Sequence, residues 1–185
     1  VGGLLISNVN RKTMMENADT LLSLAEIAAA FTGFAALVSV LRKDSQEPTQ
    51  ASHDVLRLRL VISSSVVGVA AALIPMGLAG YGLDSGLTWR LAAVIFLIFD
   101  YSVIVSFVGA YQPVRGVFPP DRLAVTVVTS LELAEQASLL AVVLGASFAP
   151  ASALYVTALI TNICQAGFIF VRFVGSTFRH ADDAN

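Results

Sequence analysis

Five stretches of this chain, residues 21–41, 58–80, 89–110, 123–145 and 152–174, are each 21 to 23 residues long and strongly apolar. A helix rising ~1.5 Å per residue crosses the ~30 Å hydrocarbon core of a bilayer in about 20 residues, so each stretch has the length of a membrane span. Water is absent there, and a spanning segment must satisfy its backbone N–H and C=O groups internally, as a helix does. Composition agrees. The chain is 56% hydrophobic and 13% charged, whereas a soluble domain carries about 25% charged residues. A water-soluble fold of 185 residues leaves much of its surface exposed and cannot hide this much apolar area. The expected fold is all-α: an integral membrane protein built as a bundle of about five transmembrane helices.

Turn chemistry separates the spans. Arg42-Lys43-Asp44-Ser45-Gln46-Glu47-Pro48 is a polar loop, residues 82–88 form a short turn, and Pro113, Pro119 and Pro120 interrupt any helix after the third span. The weakest break, at Ser147, Ala149 and Pro150, leaves a four-span alternative in which residues 123–174 are re-entrant. Residues 1–20 read as a tail outside the membrane and 175–185 as a cytoplasmic tail. The first 13 residues precede Met14 and Met15 and read as a foreign or upstream extension.

Lysine and arginine placement predicts orientation, since cytoplasmic loops carry the excess. Arg42, Lys43, Arg57, Arg59, Arg115, Arg122, Arg172 and Arg179 share one side, and Arg11, Lys12 and Arg90 the other. The expected topology is N-terminus out and C-terminus in, in a bacterial-type inner membrane. Trp89, Tyr81 and Tyr155 are expected as aromatic anchors at the outer interface and Tyr111 at the inner one.

Carboxylates inside the spans carry the functional signal, because each costs several kcal/mol (about 2.5–3.5 on insertion scales) at mid-membrane. There are four: Glu26, Asp100, Glu132 and Glu135; Asn162 and Gln165 add buried amides. Counting ~1.5 Å per residue places Asp100, Glu132, Glu135, Asn162 and Gln165 in one central layer and Glu26 roughly 8 Å below the outer surface. Glu132 and Glu135, three residues apart, share a helix face. Their mutual repulsion calls for a bound proton or cation. Opposite them run Ala134, Ser138, Ala141 and Gly145, a small-residue stripe of the kind that lets membrane helices approach. Span four is therefore expected at the centre of the bundle. Glu26 aligns with Ala29, Ala30, Gly33 and Ala36 and is expected to face protein. In span five, Thr157, Thr161, Asn162, Gln165 and Arg172 form a polar stripe.

Carboxylate and amide oxygens suit cations or proton relay. The leading expectation is a cation or proton channel or transporter acting as a homo-oligomer. Its ion pathway would comprise Glu26, Asp100, Glu132, Glu135, Asn162 and Gln165. The alternative is a non-catalytic accessory subunit of a larger membrane complex, its polar residues serving as interhelical glue; a membrane enzyme ranks third. The expected partners are the lipid bilayer and further copies of the chain, or, on the alternative reading, a membrane-protein subunit.

Other classes find little support. A net charge of −2 offers no basic face for nucleic acid. One cysteine, Cys164, excludes an intrachain disulfide, and neither histidine, His53 nor His180, lies in a span, so no haem or cofactor is expected. A carboxylate-only metal site could draw on Glu132, Glu135 and Glu26, and would favour hard cations. Gly80-Tyr81-Gly82 repeats the triplet of potassium-channel filters, but it ends a full-length span and reads as a helix stop. Ser64, Gly68 and Ala72 form a packing stripe on span two.

Overall fold

The fold is seen in a computed structural model that describes residues 2–41, 48–116 and 121–182, with side chains at 17–40, 55–113, 115–116 and 121–175. Arg42 and Lys43 lie outside the described residues, as do the side chains of Arg11, Lys12 and Arg179. The helices are α1 (Gly2–Leu41), α2 (Pro48–Gly80), α3 (Ser85–Tyr111), α4 (Arg122–Leu144) and α5 (Ala151–Asp182). Each contains a segment long and apolar enough to cross a membrane: Asn17–Val40, Val55–Gly80, Ser85–Tyr111, Arg122–Leu144 and Ala151–Gly175. Among the described residues there is no strand. The five-span reading holds, and α4 and α5 are two separate full-length helices. Residues 2–20 and 176–182, read as tails, continue α1 and α5 as helix.

Local chemistry sets the helix ends. Asp84 caps α3, its carboxylate accepting from the Leu87 N–H at 3.0 Å. Asp121 caps α4 in the same way through the Leu123 N–H at 3.0 Å. Such side-chain acceptors satisfy donors that a helix start leaves unpaired. Gly145 ends α4 in the left-handed region at φ 71°, with the Ala146 N–H returning to the Ala141 carbonyl at 2.9 Å. This is the reversal that glycine supplies most readily. The Gly80-Tyr81-Gly82 segment is indeed a helix stop: α2 ends at Gly80 and Tyr81 is exposed.

α2 and α5 form the centre of the bundle. They pack on each other; α2 also touches α1 and α3, and α5 touches α1, α3 and α4. This corrects the expectation for span four: 44% of an apolar 18-residue stretch of α2 is buried, against 17% of the corresponding stretch of α4. The stripe opposite Glu132 and Glu135 is turned outward, with Ala134 exposed and Ser138 and Ala141 half-buried. The α2 stripe behaves as expected. Ser64 and Ala72 are buried, and a Cβ on Gly68 would sit 3.4 Å from Ala28 of α1 and 3.2 Å from Asn162 Oδ1 of α5.

Trp89 and Tyr155 also depart from expectation. Both are buried, their ring centroids are 5.3 Å apart, and Tyr155 packs on Phe96 at 5.9 Å. The Tyr155 hydroxyl donates to the Ala71 carbonyl at 2.6 Å, tying α5 to α2. An amphipathic ring suits an interface, but it suits a core equally when its polar tip finds an acceptor. Tyr81 alone of the three outer aromatics is solidly exposed.

Helices successive in the chain run antiparallel, which brings several of the arginines to one end. Arg59 at the start of α2 donates to Ser106 Oγ near the end of α3 at 3.2 Å, and Arg172 late in α5 pairs with Asp121 at the start of α4. At the opposite end Arg90 of α3 approaches Gly145 of α4.

Candidate functional site

Midway along the bundle, α3, α4 and α5 each turn polar side chains to a common point. Asp100 comes from α3, Glu132 and Glu135 from successive turns of α4, and Asn162 and Gln165 from successive turns of α5. One oxygen from each carboxylate can be chosen so that all three lie within 4.8 Å of one another. Asp100, Glu135, Asn162 and Gln165 are buried at 5%, 0%, 2% and 8% exposure, and Glu132 is half-buried.

Side-chain amides stitch the carboxylates together. Gln136 donates to Asp100 Oδ2 across the α3–α4 boundary, and the same nitrogen donates to Glu132 Oε1 at 2.9 Å within α4. Gln165 Nε2 donates to Glu132 Oε2 at 3.1 Å. Asn162 Nδ2 reaches Glu135 Oε1 at 3.5 Å, the long end of the hydrogen-bond range. The nitrogen donors are thus engaged, while several oxygens are not. Glu135 Oε2, Asn162 Oδ1, Gln165 Oε1 and, on α2, Ser65 Oγ are buried without a partner. An unpaired buried polar atom costs about 1–3 kcal/mol, so four in one small protein call for an explanation.

Charge makes the same demand. Among the described residues no lysine or arginine pairs with Asp100, Glu132 or Glu135. Three carboxylates this close in a low-dielectric interior require protons or a cation for balance.

Of the six residues expected on a pathway, five assemble and the sixth does not. Glu26 lies on the exposed face of α1 together with Ala29, Ala30, Gly33 and Ala36, and it is absent from the carboxylate group. Within the single chain Glu26 is therefore exposed, and its expected partnership with Glu132 and Glu135 in a metal site is corrected, Asp100 standing there instead. Thr157 and Thr161 share the α5 arc but make no side-chain bond to the carboxylates. Their hydroxyls donate to carbonyls of their own helix, Ala153 at 2.9 Å and Ala158 at 2.7 Å, as mid-helix threonines commonly do. Gln136 was missed. Its signal is the four-residue spacing from Glu132, which puts it one turn along the same face, within reach of that carboxylate.

Two clefts lie at opposite ends of α2. One, of about 150 Å³, is lined by Arg59, Ser63, Ser102 and Ser106 among others; the other, of about 220 Å³, by Asn17, Pro75, Met76, Thr88 and Trp89 among others. The level of Gly68, against which Asn162 rests, falls between them.

Comparison of the chain with protein-family models, with curated proteins and with solved structures finds no match.

Proposed function

We propose that this protein passes a cation or a proton across the membrane, with Asp100, Glu132, Glu135, Asn162 and Gln165 on the route. The observation that carries this reading is the group of three carboxylates within 4.8 Å, buried among helices and without a cationic partner among the described residues. A purely structural cluster has no need of three acidic groups, because neutral amides and hydroxyls join membrane helices without the cost of charge. The pathway then belongs to the single chain, between α3, α4 and α5, and does not need an oligomer axis.

Two further parts of the proposal rest on the surface. The arginine-rich end of the bundle is assigned to the cytoplasm, giving an outward N-terminus in a bacterial-type inner membrane. Self-association is assigned to α1, where Glu26 and its small neighbours face outward. Small side chains let a second helix approach closely, and a lipid-exposed carboxyl gains from a hydrogen-bonding partner there. The same face supports the second reading, an accessory subunit, if the partner it receives is a different protein.

The test is flux in proteoliposomes of purified protein, read with a pH-sensitive and a cation-sensitive dye beside the Glu132→Gln/Glu135→Gln double variant. Flux by the parent, lost in a variant that keeps its helicity, supports the proposal. A folded parent that passes neither protons nor cations over a range of voltage and pH removes transport and leaves the subunit reading. Size measurement in detergent then distinguishes a symmetric oligomer from a chain that needs a foreign partner.

A further inference from the structure

The geometry points to one anionic phospholipid seated in the cleft between α2 and α3 at the arginine-rich end of the bundle, its phosphodiester held by the Arg59 guanidinium and the hydroxyls of Ser63, Ser102 and Ser106. This goes beyond the transport reading and does not depend on it.

The cleft measures about 150 Å³; α2 contributes Arg59 and Ser63 to its lining, and α3 contributes Ser102 and Ser106. Arg59, Ser102 and Ser106 are exposed and Ser63 is half-buried, so the cleft opens outward, where the bilayer surrounds the bundle. Its depth suits a headgroup. Arg59 lies four residues inside the Val55 end of its span and Ser106 five inside the Tyr111 end, which is ~6–8 Å at ~1.5 Å per residue. Ser63 and Ser102 follow about one helical turn deeper.

Two independent observations aim at an anion. Arg59 turns sideways to donate to Ser106 Oγ at 3.2 Å, and among the described residues no carboxylate pairs with it. A guanidinium carries five N–H donors, and one hydroxyl leaves most of them unfilled. An arginine without an anionic partner near a membrane boundary extends its charged head to water; this one is tied to the wall of the cleft. The second observation is the state of the deeper serines. Thr126, Ser138 and Thr157 donate to carbonyls of their own helices. Among the described residues the Ser63 and Ser102 hydroxyls have no such partner. A cation and two free hydroxyls thus line one outward cleft, and phosphate oxygens accept from both kinds of donor.

The rest of the lining selects the lipid. No carboxylate is among the described residues of the cleft, so the ammonium of a zwitterionic headgroup finds no counter-charge there, whereas a glycerol headgroup needs none. Leu60, Val103 and Phe107 make apolar wall beside the polar groups. That surface suits the first acyl carbons and gives a free phosphate ion nothing. Basic pockets between membrane helices bind anionic headgroups in this way.

The probes are phosphatidylglycerol, phosphatidylethanolamine and inorganic phosphate, each added to the chain purified in a non-ionic detergent. Native mass spectrometry should retain one phosphatidylglycerol per chain and hold phosphatidylethanolamine about tenfold less well. Arg59→Gln should weaken retention by about the same factor, and Ser63→Ala/Ser102→Ala by a smaller one. Arg90→Gln, at the opposite end, should leave it unchanged. A phosphatidylglycerol carrying a diazirine beside its glycerol should label residues 56–63 and 102–110 of the unaltered protein, which keeps the test valid if a variant fails to fold. Equal retention of the two lipids, retention indifferent to Arg59→Gln, or labelling confined to other segments overturns the inference. Inorganic phosphate that raises the unfolding midpoint as far as phosphatidylglycerol does assigns the cleft to a free anion and overturns the lipid.

Discussion

Gln136 on α4 donates its side-chain amide to the Asp100 carboxylate on α3, although the two residues are 36 positions apart in the chain. The same nitrogen also serves Glu132. One neutral group therefore orients two acidic ones from different helices, at the sparser contact of the two that hold α4. Gln136→Leu leaves both carboxylates short of a donor and should cost about 1–3 kcal/mol of stability. A lowered unfolding midpoint in mild detergent is the expected readout; an unchanged midpoint would mean the carboxylates find other donors.

Tyr155 is bound to the α2 backbone by its hydroxyl and to Trp89 and Phe96 by its ring. Tyr155→Phe keeps the ring contacts and removes only the 2.6 Å bond to Ala71. A loss of about 1 kcal/mol is expected, of the size measured for such interhelical bonds in membranes. Tyr155→Ala removes the aromatic packing as well and should cost about 3–5 kcal/mol. The comparison of the two in one unfolding assay separates the bond from the packing.

Close approach of α1, α2 and α5 depends on the missing side chain at Gly68. An added Cβ meets Asn162 Oδ1 at 3.2 Å and Ala28 at 3.4 Å. Gly68→Ala should destabilise modestly and Gly68→Leu should separate the helices, since overpacking a tight contact costs about 1–3 kcal/mol or more. Gly109, with nothing within 4 Å of its would-be Cβ, is the control. Gly109→Ala should leave the midpoint unchanged or raise it, because alanine is the better helix former.

Gly145 carries a positive φ, and a Cβ there would also run into the Arg90 guanidinium. Gly145→Ala should therefore cost about 1–2 kcal/mol from the left-handed backbone alone. Combining it with Arg90→Ala, which opens the space, should recover only the steric part. Equal stability of single and double variants would show that Arg90 moves aside freely.

Asp121 predicts an acid-side loss of stability. The Leu123 backbone N–H, and then the Arg172 guanidinium, hold its carboxyl below the ordinary value of 3.8. A carboxyl lowered by folding contributes its stabilisation fully above the unfolded value and loses it as pH falls through the lower folded one. The contribution should thus be present above about pH 4 and disappear at more acidic pH. Both partners are substantially exposed, so the ion pair itself should be weak and screened by salt. Unfolding midpoints of Asp121→Asn and the parent should converge as the pH falls below that range and separate above it.

Length and apolarity were enough to establish five membrane helices, because bilayer thickness and the ban on unpaired backbone groups leave a 21-residue apolar run little else to become. Depth along each helix was legible for the same reason: residue counting alone brought Asp100, Glu132, Glu135, Asn162 and Gln165 to one level, and the fold joins all five. Facing was not legible. In water, the solvent side of a helix announces itself with polar residues, but in a bilayer both the lipid side and the protein side are apolar. Small residues at Ala29, Ala30 and Gly33 therefore looked inward and face out, Trp89 and Tyr155 looked interfacial and fill the core, and α4 looked central and lies at the edge. Only the packing of α2 against α5 decided these matters. By bringing α3 and α4 together it also placed Gln136 between two carboxylates that no spacing in the chain connects.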